Sequence, residues 1–249
     1  MAEKAILITG GSRGIGRATA ILAARRGWSV AIGYARDAAA AAETLAAIEA
    51  AGAAGLALRA DVAVEAELVA LFDAAAARFG GLDGVVNNAA IVAPAACLAD
   101  MTAERLRRIF EVDVLGAYLC AREAARRLSR DRGGRGGALV NVSSAAARLG
   151  APFEYVDYAG AKGAMDTMTI GLARELGPQG VRVNAVRPGL IETEIHASGG
   201  RPDRAARLGR DTPLGRAGRA EEVAEAILWL LSDAASYVTG ALLDVAAGR

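Results

Sequence analysis

The chain has 249 residues, 53% of them hydrophobic, enough to bury one large core. Its formal net charge of +1 gives no electrostatic case for nucleic acid or an anionic membrane surface. Two cysteines, Cys97 and Cys120, exclude a disulfide framework or a cysteine-based zinc site, and no apolar run is long enough to span a bilayer. A strand is predicted from residue 4, so no removable leader is expected. The chain reads as one cytoplasmic domain over residues 1–249 with no metal site.

Ala5-Ile6-Leu7-Ile8 reads as a buried strand that opens into Thr9-Gly10-Gly11-Ser12-Arg13-Gly14-Ile15-Gly16. A helix follows to about residue 26 and stops at Gly27. Strand, glycine turn and helix N-terminus bring backbone N–H groups against a phosphate. The spacing is not Gly-x-Gly-x-x-Gly, because position 19 is Thr. The same letters contain Gly-x-Ser-x-Gly, the hydrolase nucleophile elbow. That chemistry needs an oxyanion-hole loop upstream, for which nine residues are expected to be too few. It also needs a downstream histidine, and His196 is the only one in the chain.

The second strand is predicted over 28–34 and ends Gly33-Tyr34-Ala35-Arg36. An acid at this position suits a ribose 2′-hydroxyl, whereas arginine suits a 2′-phosphate. Arg36 and Arg13 therefore favour NADP(H), with NAD(H) as the alternative. Asp37 follows Gly16 at about the interval expected of a ribose-binding acid, ~20 residues. It also precedes a helical run over 38–51, where it serves as an N-cap, and the cap reading is preferred.

Further strands are predicted over 55–60, 84–86, 138–142, 181–186 and 241–245. The helices between and after them are predicted over 64–79, 101–128, from near Tyr158 to 176, and over 220–232. Residues 126–137 read as a basic, Gly-rich connection. The alternation gives a doubly wound parallel α/β sheet of about seven strands, a Rossmann fold, with ligands at the carboxyl ends of its strands.

Tyr158-Ala-Gly-Ala-Lys162 puts a phenol and an ammonium on one helix face. A free phenol has a pKa near ~10. A neighbouring cation and a helix N-terminus are expected to lower it, so that the pair can exchange a proton with an oxygen passing between carbonyl and alcohol. The composition adds weight to the lysine. Of 29 Lys plus Arg, only Lys4 and Lys162 are lysine. The asparagines are equally few: Asn87, Asn88, Asn141 and Asn184.

Thr9–Gly16 (Thr-Gly-x-x-x-Gly-x-Gly), Asn87-Asn88-Ala89-Ala90, Ser144, Tyr158-x-x-x-Lys162 and Arg187-Pro188-Gly189 resemble, in order and spacing, the short-chain dehydrogenase/reductase family. The resemblance runs from residue 5 to the end of the chain. It implies an oxidoreductase in which Tyr158 gives a proton to a carbonyl or takes one from an alcohol. Ser144 would orient the reacting oxygen, and Lys162 would hold the nicotinamide ribose and depress the Tyr158 pKa. It implies cofactor contacts at Gly10, Ser12, Arg13, Gly14, Ile15 and Gly16, at Tyr34 and Arg36, and at Asp61 and Val62. Asn88, Ala89, Tyr158, Lys162, Pro188, Gly189, Ile191 and Thr193 complete that set.

Three departures from the family pattern stand out. Asp113 occupies the place of the asparagine in the family's proton relay, Ala90 replaces a glycine, and Val245-Ala246-Ala247-Gly248 replaces Val-Asp-Gly-Gly. Residues 192–216 read as a lid over the substrate, with His196 in reach of it. Tyr155 reads as a loop or substrate-wall residue.

The nearest branch holds 3-oxoacyl-carrier-protein reductases and glucose-type sugar dehydrogenases. Arg126, Arg127, Arg130, Arg132 and Arg135 would suit an acidic acyl carrier protein. Ala159, Gly160, Gly163, Ala164, Gly171 and Ala173 permit close helix packing, and with the family's habit of dimers and tetramers a homotetramer is expected. A reading from another class, a non-catalytic NADP(H)-binding sensor, has no use for the complete Ser144, Tyr158 and Lys162 set.

Overall fold

Seven strands pair in parallel in the order β3-β2-β1-β4-β5-β6-β9: β1 (Ala5–Thr9), β2 (Ser29–Tyr34), β3 (Gly55–Arg59), β4 (Gly84–Asn87), β5 (Gly137–Val142), β6 (Val181–Pro188) and β9 (Leu242–Val245). The computed structural model describes residues 4–249, apart from the side chain of His196. The order reverses between β1 and β4, and this switch point is where doubly wound sheets open a crevice at the strands' carboxyl ends. The single-domain Rossmann fold expected from the alternation of elements is present.

Side chains alternate across the sheet and divide the core in two. On one face Leu7, Val85 and Leu139 pack under α3 (Glu65–Phe79), α5 (Ala117–Leu128) and α7 (Val156–Leu176). On the other, Ile6, Ile8, Val86 and Val140 pack under α1 (Gly14–Arg25), α2 (Ala38–Ala50) and α10 (Ala220–Leu231). Alanine-rich α1 and α2 carry few bulky anchors, so the sheet's β-branched residues supply much of that layer.

Three elements differ from the sequence expectation. The long helix over 101–128 is divided into α4 (Ala103–Phe110), a π-helical turn (Glu111–Gly116) and α5. Hydrophobic periodicity continues through the turn, so the sequence carries no break. The wider turn places Asp113 and Gly116 against the loops that follow β4 and β3: Asp113 accepts the Ile91 N–H, and a Cβ on Gly116 would meet Val62 Cγ2 at 2.8 Å. Helix α7 starts at Val156, with Tyr155 as its cap, so Tyr158 lies in the first turn rather than at its start. The segment 192–216 holds α8 (Ile195–Ser198) and α9 (Arg204–Gly209). It is pinned at its base by a small parallel pair, β7 (Ile191–Glu192) with β8 (Gly218–Arg219).

Candidate active site

The carboxyl end of β1 runs into the glycine turn. Gly14 has φ +53, and a Cβ on Gly16 would sit 2.3 Å from the Gly10 carbonyl oxygen, so both positions exclude a side chain. Helix α1 then begins with no side-chain cap on its first N–H groups. These free donors and the bare backbone form a cradle that fits a phosphate. The turn is braced from below: Thr9 Oγ accepts the Asn88 and Ala89 N–H groups at 3.0 and 3.1 Å. Asn88 Nδ2 donates to the Thr9 and Gly10 carbonyls at 2.9 and 3.1 Å.

Beside the cradle, Arg13 and Arg36 are exposed, and Tyr34, at the end of β2, is half-buried. Asp37 accepts the Ala40 N–H at 2.9 Å and caps α2, as the cap reading required. Asp61 Oδ1 accepts the Ala63 N–H at 3.0 Å, and Oδ2 accepts Arg108 Nη2 at 3.1 Å. Burial works against its ionisation, yet these partners hold the carboxyl below its ordinary range. Val62 is core, packed against Gly116.

At the centre of the sheet edge, a cavity of about 150 Å³ is lined by Ile15, Asn88, Ala90, Ser143, Ser144, Tyr155, Tyr158, Lys162, Pro188, Gly189, Ile191, Thr193 and Arg204, among others. The structure thus gathers most of the proposed nicotinamide-side residues at one place. Ser144 Oγ accepts at 3.1 Å the N–H of Ala146, which opens the short helix α6 (Ala146–Leu149), and hydrogen-bonds Tyr158. The Ser143 hydroxyl is engaged by the Lys162 carbonyl at 3.2 Å, which leaves Ser144 as the serine serving the cavity. Lys162 is 1% exposed, and its Nζ donates to the Val142 carbonyl at 2.8 Å.

One expectation is reversed. Burial, and then the Asp113 carboxylate, push the Tyr158 phenol above its ordinary pKa, against the Ser144 hydrogen bond and the more distant Arg204. The Lys162 ammonium lies 5.6 Å from the centroid of the phenol ring and is directed at Val142, so it does not deliver the predicted depression. The phenol is held in its neutral, proton-donating form.

Asp113 does not line the cavity. It is fully buried behind it, with Oδ1 accepting the Ile91 N–H at 2.9 Å and Oδ2 without a partner among the described residues. Burial raises its pKa to about 7, against Lys162 on α7, the Ile91 N–H and Arg108 on α4, while Asp157 on α7 adds to the rise. A carboxyl whose folded pKa is raised is comfortable while protonated and costs stability once ionised. The cost sets in above the ordinary carboxyl range and is complete above pH 7. Asp113→Asn is therefore expected to stabilise the protein by roughly 2–3 kcal/mol more at pH 8 than at pH 5. Urea melts of both proteins at the two pH values check this, and an equal effect at both would refute it.

The sequence reading missed two supports of the site. Arg105 on α4 grips Asp157 through Nε at 2.8 Å and Nη2 at 3.2 Å. Asp157, 1% exposed at the side chain, also accepts the Tyr158 N–H at 2.9 Å. The second support is a buried chain from Asn87 Nδ2 to Asn141 Oδ1 at 3.0 Å and from Asn141 Nδ2 to Thr169 Oγ at 2.9 Å, linking β4, β5 and α7. The scarcity of asparagine was the available signal. Asn184 is equally committed, to Val238 and Ala241. Tyr155 forms a wall of the cavity, and the proposed substrate contact of His196 lies outside the described residues.

Known proteins resemble the chain along nearly its whole length. The family described as enoyl-(acyl carrier protein) reductase matches residues 10–249. The oxidoreductase YgfF of Escherichia coli (strain K12) is 52% identical over 98% of both chains. The cis-4-hydroxycyclohexanecarboxylate dehydrogenase of Sinomonas cyclohexanicum is 43% identical over 99% of this chain and 96% of its own. Among solved structures, a 3-ketoacyl-(acyl-carrier-protein) reductase from Brucella melitensis complexed with NADH aligns with a TM-score of 0.90 and 33% identity. That alignment covers 100% of this chain and 99% of the other.

Proposed function

Because the chain belongs to the short-chain dehydrogenase/reductase family, an oxidoreductase family acting on CH–OH groups, we propose that it interconverts a small secondary alcohol and its ketone using NADP(H). The observation that carries this reading is the meeting of Ser144, Tyr158 and Lys162 in one cavity beside the glycine cradle. The cofactor supplies the hydride, or accepts it in the reverse direction. Gly10–Gly16 and the α1 N-terminus hold its phosphates, and Arg13 and Arg36 take the 2′-phosphate. Lys162, Pro188, Gly189, Ile191 and Thr193 hold the nicotinamide end.

Tyr158 gives its phenolic proton to the carbonyl oxygen as that oxygen gains charge. Ser144 hydrogen-bonds the same oxygen and fixes it in line with the phenol. Lys162, anchored on Val142, fixes the floor beneath them. Asp113 sets the local charge from behind, so its ionisation opposes loss of the Tyr158 proton. The segment 192–216 closes over the substrate, and the β7–β8 pair keeps its two ends together while it moves.

A cyclic secondary alcohol, like the one in the name of the Sinomonas relative, fits this reading better than a protein-borne substrate. Arg126 and Arg127 are ion-paired with Glu123 and Asp73, and Arg135 donates to the Gly80 carbonyl. Three of the five arginines suited to an acyl carrier protein are therefore held within the chain. The protein works as a cytoplasmic homotetramer, in keeping with the small-residue face of α7, and among the described residues no helix is long and apolar enough to cross a membrane. The test is absorbance at 340 nm with NADP+ and a panel of secondary alcohols. Turnover supports the reading, whereas binding of the cofactor without turnover of any alcohol or ketone would favour a sensor.

A further inference from the structure

Two basic residues line the cavity, Lys162 and Arg204, and no aspartate or glutamate is among the described lining residues. Lys162 is turned onto the sheet by its bond to Val142. Arg204, at the start of α9, brings positive charge from the side of the segment that covers the site. It is close enough to Tyr158 to oppose the rise in the phenol's pKa.

The Arg204 side chain is only 14% exposed, and its guanidinium stands 5.6 Å from the Tyr155 ring centroid. Nη2 donates to Glu154 at 2.7 Å, whereas Nε is buried with no hydrogen-bond acceptor among the described residues. An unsatisfied buried donor of this kind is destabilising until an acceptor reaches it. Glu154 does not fully neutralise it: the same carboxylate takes Arg201 at 2.5 Å, and Arg207 also bears on it. Arg201 and Arg204 thus share one carboxylate, while Arg207 is also paired with Asp203 at 3.9 Å, so the wall of the cavity presents a guanidinium that its acid neutralises only in part and that has one donor without a partner among the described residues.

We propose that Arg204 anchors an anionic group of the substrate, and that the substrate is a secondary alcohol, or its ketone, that carries a carboxylate. The inference deepens the reading above and rests on Tyr158 as the reacting end of the same cavity. A carboxylate is ionised at neutral pH and presents two coplanar oxygens, which suit the planar N–H donors of a guanidinium. Its oxygen supplies the acceptor that Arg204 Nε lacks. The carbon skeleton then spans from the guanidinium to the phenol, and the hydroxyl-bearing carbon lies at Ser144. Arg204 is a specificity residue in this scheme and takes no part in proton transfer.

The test is calorimetric titration of the full-length protein, with NADP+ present, using cyclohexanecarboxylate and the neutral cyclohexanecarboxamide as probes. The carboxylate is expected to bind at least about tenfold tighter than the amide, and Arg204→Gln to remove that preference. Glu154→Gln separates anchoring from a structural tie. It frees more of the Arg204 charge, so carboxylate binding is expected to tighten severalfold; if Arg204 only holds α9 in place, binding weakens instead. Equal binding of the two probes, or an Arg204→Gln protein that still prefers the carboxylate, would overturn the proposal. Tyr158→Phe is expected to bind the carboxylate as the unaltered protein does. Carboxylate binding without turnover of any alcohol would thus sink the catalytic reading and leave the anchor standing.

Discussion

Tyr158→Phe is expected to lower kcat by about 10³-fold, equivalent to roughly 4 kcal/mol of transition-state stabilisation, while cofactor affinity changes by no more than a few fold. The change removes one oxygen and keeps the ring that packs in the cavity, so lost activity reports lost proton transfer. The electrostatics sharpen the expectation. Burial and Asp113 hold the phenol neutral, so in the reductive direction the proton is in place before the carbonyl arrives. In the oxidative direction the phenol must first lose its own proton before it can take one from the alcohol, so the rate is expected to rise with pH as the phenolate fraction grows. Steady-state rates at 340 nm in both directions measure the effect. A Phe variant retaining more than a tenth of the activity would remove Tyr158 from the chemistry.

The second large effect concerns the Arg105–Asp157 pair. Removing one partner of a buried, hydrogen-bonded pair typically costs 3–5 kcal/mol because it strands the other charge. Arg105→Met is expected to cost about that much, a drop in Tm on the order of 10 °C for a chain of this size. Activity falls as well, since Asp157 holds the Tyr158 N–H at the first turn of α7. The double variant Arg105→Met/Asp157→Leu replaces both charges with apolar volume and is expected to recover most of the stability. Recovery of Tm without recovery of activity identifies the pair as a positioning device for Tyr158. Additive losses in the double variant would mean that the two residues act independently.

The parts of this site legible in the sequence were those with a local pattern. The Thr9–Gly16 turn, the Ser144 strand end and the Tyr158–Lys162 spacing each join elements adjacent in the chain, so periodicity and turn residues located them. Asp37 could be read as a cap for the same reason: its partner is Ala40, three residues away. The supports that were missed join distant segments. Arg105 and Asp157 lie 52 residues apart, and Asn87 and Asn141 lie 54 apart. A buried arginine and a surface arginine look alike in a sequence so rich in arginine. The π turn at Glu111–Gly116 preserves the apolar rhythm on either side and leaves no mark in composition. The reversed shift at Tyr158 has a similar origin. Spacing places a cation near a phenol but does not record burial, or that Val142 captures the ammonium.

Under the proposed function, the glycine cradle and the Tyr158 cavity form one NADP(H)-dependent site. The most direct test is thermal unfolding of the protein with NADPH and NADH titrated side by side, because a ligand that binds only the folded state raises Tm by an amount that grows with the logarithm of its concentration over Kd. A larger rise with NADPH, lost in Arg13→Ala/Arg36→Ala, is the predicted result. A larger rise with NADH would contradict the 2′-phosphate assignment, and no rise with either would contradict the site itself.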